Sequence, residues 1–143
     1  MYEDKAVPEG TELIANRAFS GREDIITAII PDSVREIGTG AFAGCTALES
    51  VSLPSSLRRI RKETFDGCTS LKTVTVPHGT EEIGEWAFRG CSSLEAISIP
   101  ASVTDIAAEA FLLCDALTII AEQGSYAEKY ALKYNIGYEI IKE

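Results

Sequence analysis

The chain of 143 residues is long enough for one domain with its own core and too short for separate cofactor and substrate lobes. Hydrophobic residues at 45% and charged residues at 24% place it among folded domains, and 13 Lys and Arg against 22 Asp and Glu leave a net charge of −9 that repels a phosphate backbone. Nucleic acid is therefore excluded as a first partner, and membrane insertion with it, since no apolar run approaches the ~18 residues of a spanning helix.

The order of residues is governed by one period. The prolines stand at 8, 31, 54, 77 and 100 and the phenylalanines at 19, 42, 65, 88 and 111, so every successive gap is 23 and the spacing uses up all five of each. Ile14, Ile37, Ile60, Ile83 and Ile106 keep the same step, as do Gly21, Gly44, Gly67 and Gly90. Five such units cover residues 8–122.

In chain order, residues 1–7 come first. The N-terminus MYEDKAVPEG is acidic and has no apolar h-region, so no secretory signal is expected in this chain. Stepping back 23 from Ile25, Ala28 and Ile30 gives Tyr2, Lys5 and Val7, which predicts a degenerate N-terminal rung. An inward Lys5 would deter another chain from pairing at that edge.

The unit Leu48 to Ser70 represents the five repeats. Residues 50–53 alternate polar and apolar, which predicts a strand with one buried face carrying Val51 and Leu53. Pro54 ends it, because proline has no N–H for a ladder. Leu57 and Ile60 turn inward from a second short extended segment, and Thr64 and Phe65 sit on a helical turn that Gly67 can close in the left-handed conformation. A unit this small cannot bury its apolar side alone, so stacked units must share a core. After the repeats, Ser125 and Glu128 form a capping box. They predict a helix with Tyr126, Tyr130 and Tyr134 on one face, ended by Asn135 to Gly137 and followed by a closing strand over Tyr138 to Ile141. Residues 123–143 thus read as a C-terminal cap.

The texts IIPDSVREIGTGAFAGC, SIPASVTDIAAEAF and ESVSLPSSLRRI…TFDGC resemble the repeat of the bacterial BspA-like class of leucine-rich repeats. The resemblance spans about four fifths of the chain. It implies an α/β repeat solenoid: a right-handed leucine-rich-repeat stack with a parallel concave β-sheet, short convex helical turns and here a C-terminal capping helix. It also implies a non-enzymatic binding module of the bacterial cell surface or extracellular space, engaged in adhesion. Without a signal or anchor in the chain, a cytoplasmic setting stays open, and with it the alternative of a structural repeat protein that self-associates weakly.

Little in the sequence offers catalysis. Cys45, Cys68, Cys91 and Cys114 recur at 23 and would stand in a row about 4.7–4.9 Å apart, which cannot surround one ion. Side chains pointing the same way also rarely reach disulfide torsions, so buried free thiols are expected. His78 is the only histidine and falls in a polar turn after the strand proline. Glu36, Glu82 and Asp105 share a column whose similar, solvated surroundings would not separate their pKa values. No catalytic residue, cofactor or metal is thus expected.

Binding is different. Outward strand positions form ladders, with Thr27, Ser50, Thr73, Ala96 and Ile119 in one column and Ile29, Ser52, Thr75, Ser98 and Ala121 in the next. A third column holds Ile26, Glu49, Lys72, Glu95 and Thr118. Thr and Ser suit exposed strand positions in any case. The sharper reading makes this face a surface for a protein or glycan ligand, with Ile26 and Ile29 supplying apolar contact. Trp86 shares its column with Arg17, Gly40, Glu63 and Glu109, so it is expected to be partly exposed, either as an interface anchor beside Arg89 or lying flat over its neighbours.

Overall fold

A computed structural model describes residues 7–141. Of the expected N-terminal rung only Val7 lies among them, and it is buried; Tyr2 and Lys5 lie outside the described residues.

Each repeat contributes one longer and one two-residue strand. Numbered in chain order, the elements are β1 (Leu13–Ile14), β2 (Thr27–Ile29), β3 (Glu36–Ile37), β4 (Ser50–Ser52), β5 (Arg59–Ile60), β6 (Thr73–Thr75), β7 (Glu82–Ile83), β8 (Ala96–Ile99), β9 (Asp105–Ile106), β10 (Thr118–Ala121), α1 (Tyr126–Lys133) and β11 (Gly137–Ile140). The longer strands form one six-stranded parallel sheet in the order β11-β10-β8-β6-β4-β2. On another side of the stack the two-residue strands pair as β1-β3 and as β5-β7-β9. The fold is a parallel-strand solenoid with a single α-helix among the described residues.

A third ladder runs along the turns. Phe42 N donates to Thr64 O at 2.9 Å and Gly44 N to Asp66 O at 2.7 Å, and the pattern repeats one rung on from Phe65 and Gly67. Gly21, Gly44, Gly67 and Gly90 take φ of 73–77°, as the closure of each turn requires. The fifth member of that column is Leu113, at φ 67°.

The core is a set of columns, and one of them is filled by phenylalanine alone. Phe19, Phe42, Phe65, Phe88 and Phe111 stack with centroids 5.2–5.6 Å apart and planes within 16°. Tyr130 of α1 meets the last ring edge-on at 6.1 Å, and its hydroxyl donates to the carbonyls of Ala107 and Ala108. In earlier rungs the counterparts of Ala108 O, such as Glu85 O, accept from the backbone of a neighbouring rung. The phenol therefore satisfies an acceptor that the last repeat would leave open.

The cap follows its sequence signals with two differences. Ser125 Oγ accepts from Glu128 N, and the Glu128 carboxylate accepts from Gly124 N at 2.7 Å. Of the three tyrosines only Tyr130 is buried, while Tyr126 and Tyr134 are exposed. Residues four apart drift about 40° around a helix, so only the middle ring of the row faces the core. The closing strand spans Gly137–Ile140 and pairs in parallel with β10.

Candidate binding surface

The face presented by the long sheet is built by strand alternation. Ala28, Val51, Val74 and Ile97 turn into the core or toward it, which leaves their strand neighbours outside. The register Thr27↔Ser50, Ser50↔Thr73 and Thr73↔Ala96 aligns one outer column, and Ile29↔Ser52 and Thr75↔Ser98 define the second. Ser50, Ser52, Thr73 and Thr75 are exposed, Ser98 and Ile26 are half-buried, and Ile29 is 42% exposed. Ser50 Oγ and Thr27 Oγ1 approach to 3.5 Å across adjacent strands. Glu49, Lys72 and Glu95 are exposed on the approach to the strands, where their N–H groups donate to the preceding rung.

The fifth rung departs from the expected register. Thr118 pairs with Ala96, Ile119 with Ile97 and Ala121 with Ile99, a step of 22 where the earlier rungs keep 23. Ile119 and Ala121 are therefore fully buried, and Thr118 and Ile120 take the outward positions. The slip is taken up at the strand entry. In the earlier rungs one extra residue, such as Glu49 or Glu95, stands between the buried leucine and the first outward strand residue, and its N–H donates to the preceding rung, Glu49 N to Ile26 O at 2.8 Å. Between Leu117 and Thr118 that extra residue is missing, and one residue of slip exchanges the two faces. The outer columns thus read Thr27, Ser50, Thr73, Ala96, Thr118 and Ile29, Ser52, Thr75, Ser98, Ile120. An apolar residue stands toward each end of the second column, with hydroxyls between them.

Trp86 does not join this face. It lies on the turn after β7, half-buried, with φ 61°. The Arg89 guanidinium lies 3.9 Å from the ring centroid, and the indole N–H donates to Glu109 at 3.0 Å. Arg89 is itself held by two hydrogen bonds to Asp66, which raise its pKa. The ring thus sits in an ordered cross-rung cluster with Arg89 and Glu109.

The four cysteines form a column of free thiols, Cys114 half-buried and the others buried. Each sulfur reaches a phenylalanine carbonyl one rung back, from Cys45 to Phe19 at 3.1 Å through Cys114 to Phe88 at 3.0 Å. Burial pushes the Cys68 thiol well above its ordinary pKa. His78 is exposed in its turn. Glu36 and Glu82 face arginines across rungs, at 3.8 Å from Arg61 and 3.2 Å from Arg59. Among the described residues no three His, Cys, Asp or Glu side chains converge on a point that could hold a metal ion, and no helix is long and apolar enough to cross a membrane.

The sequence profile of the BspA type leucine rich repeat region matches residues 6–137 in six copies. The chain belongs to this family. A leucine-rich cell surface protein from Faecalibacterium prausnitzii is 37% identical over 95% of the chain, with a TM-score of 0.83, and the match covers 36% of that protein. The leucine-rich repeat protein of T. pallidum is 37% identical over 77% of the chain and 52% of its own length, with a TM-score of 0.74. The pneumococcal vaccine antigen PcpA, at 18% identity and a TM-score of 0.76, shares the fold. This BspA-type chain therefore spans between a third and about half the length of the first two. No functionally curated protein matches it.

Proposed function

We propose that the chain is a non-enzymatic module that binds a protein or glycan through the outward face of the long sheet, in a bacterial cell-surface or adhesive setting. The observation that carries this is the face itself: parallel strands holding a field of short hydroxyl side chains with Ile29 and Ile120 toward its two ends. Short side chains on a rigid sheet lose little conformational entropy when covered, and hydroxyls can both donate and accept. Lys72 between Glu49 and Glu95 adds a charge pattern that would set the orientation of a partner. The surface setting is supported by the F. prausnitzii relative, described as a cell surface protein.

A screen of glycans and matrix proteins against the chain tests the proposal. Thr73→Arg and Thr75→Arg place bulk at the centre of the face and should abolish binding without moving the melting temperature, whereas Trp86→Ala should leave binding intact. Binding that survives both arginine variants would place the ligand elsewhere.

Self-association is a second reading with its own observation. β11 pairs only with β10, so Gly137–Ile140 is a sheet edge among the described residues, followed by Ile141 at 40% exposure. Light scattering that reports a monomer at all concentrations would remove it.

A further inference from the structure

Among the described residues the ladder of two-residue strands is interrupted once. Arg35 N donates to Glu12 O, Glu81 N to Arg58 O and Thr104 N to Glu81 O, and in the next column Gly38 N, Gly84 N and Ala107 N donate to Ile14, Ile60 and Ile83. The equivalents at rung three, the N–H groups of Arg58 and Arg61, find no backbone partner, and β3 and β5 fall in separate sheets. The sequence supplies a reason. The column Ala15, Gly38, Arg61, Gly84, Ala107 is small at every rung but this one. The fit there is tight, since a Cβ added to Gly38 would stand 2.5 Å from Asn16 N and one added to Gly84 2.8 Å from Lys62 N.

A crevice of about 710 Å³ lies along this opening, lined by Arg35, Arg58, Arg59 and Arg61 with Glu12 and Glu36. It concentrates guanidinium groups on a chain whose net charge is −9. Each arginine is paired with a glutamate, but the pairs are solvent-exposed, and Arg61 to Glu36 is long at 3.8 Å. Exposed pairs of this kind are weak and exchange readily for a better acceptor. Guanidinium groups together with free backbone N–H groups are the donors that oxyanions take.

We propose that the crevice between β3 and β5 binds oxyanion groups, of the sulfate, phosphate or carboxylate type, through Arg58 N–H, Arg61 N–H and the surrounding guanidinium groups. The site is separate from the long-sheet face, so it stands or falls independently of that reading. Backbone amide NMR tests it. Sodium sulfate should shift the amides of Arg58 and Arg61, sodium chloride at matched ionic strength should not, and Arg59→Gln should weaken the response. Arg61→Gly restores the small column and should abolish the response while slowing hydrogen exchange at Arg58. A heparin oligosaccharide binding more tightly than inorganic sulfate assigns the anion to an acidic polysaccharide, and equal affinity per sulfate group assigns it to a free ion. In the unliganded protein both amides should exchange more than an order of magnitude faster than those of Glu81 and Gly84. Exchange at equal rates, or a sulfate response unchanged by Arg61→Gly, overturns the proposal.

Discussion

Replacing Phe65 with alanine tests the shared core most directly. The ring is fully buried in the middle of the column, with Phe42 at 5.6 Å on one side and Phe88 at 5.4 Å on the other. Removing a buried phenylalanine costs about 3–5 kcal/mol in lost transfer energy and residual cavity. Each stacked pair is worth a further ~0.5–1.5 kcal/mol beyond burial, and the substitution removes two. These add to about 4–8 kcal/mol, and because the stacking is already partly contained in the first figure we expect a loss of about 5 kcal/mol, against a total of roughly 5–15 kcal/mol for a domain. Because each rung contacts only its neighbours, the damage should also divide the stack. Urea titration followed both by Trp86 fluorescence and by far-ultraviolet circular dichroism should therefore give coincident transitions in the wild type and separated ones in the variant. Phe19 is the internal control, since it is half-buried and stacks on one ring only, and Phe19→Ala should cost clearly less. A loss below about 1 kcal/mol for Phe65→Ala, the scale of surface changes, would refute the reasoning.

Two further predictions concern the columns beside the rings. Leu113 holds a left-handed conformation that costs an L-residue about 1–2 kcal/mol, and it is 60% exposed, so little packing is lost with it. After the entropy cost of glycine, Leu113→Gly should stabilise by about 0.5–1 kcal/mol in the same urea assay, and a destabilised variant would contradict the assignment of strain. Burial raises the Cys68 thiol well above its ordinary pKa and keeps it protonated in the folded chain, while an unfolded cysteine ionises near pH 8.5. The folded state then binds one more proton above that pH, so stability should fall by about 1.4 kcal/mol per pH unit through this thiol, and Cys68→Ala should flatten the slope. Four thiols should react in denaturant, and a count of zero would overturn the free-thiol column.

The period made the fold legible because each spatial column is a sequence column. Proline follows each long strand from β2 to β8, phenylalanine fills every rung, and glycine closes four of the five turns, so the residues state their burial directly. The outward face was legible for the same reason from Ile26 through Ser98. Trp86 was less so, because neither the Arg89 stack nor the Glu109 bond follows from a column: both are contacts between columns and depend on side-chain conformation. The unpaired β3–β5 junction is likewise a relation between neighbouring rungs, which no single repeat displays.

Three departures from the ideal stack each coincide with one residue that does not belong in its column. Arg61 stands among alanines and glycines, and there the short ladder opens. Leu113 stands where four glycines stand, and there a side chain is carried in the left-handed region. Glu122 stands where Ile30, Leu53, Val76 and Ile99 turn inward, and there the register slips. An unslipped fifth strand would aim that carboxylate into the core, at a desolvation cost no neighbour offsets. Dropping the residue between Leu117 and the strand instead buries Ile119 and Ala121 and leaves Glu122 half-exposed, near enough to accept from Ala101 N at 3.3 Å. The slip was thus readable in advance from one charged residue in an apolar column. It matters for binding because it sets Thr118 and Ile120, in place of Ile119 and Ala121, at the far end of the outward face.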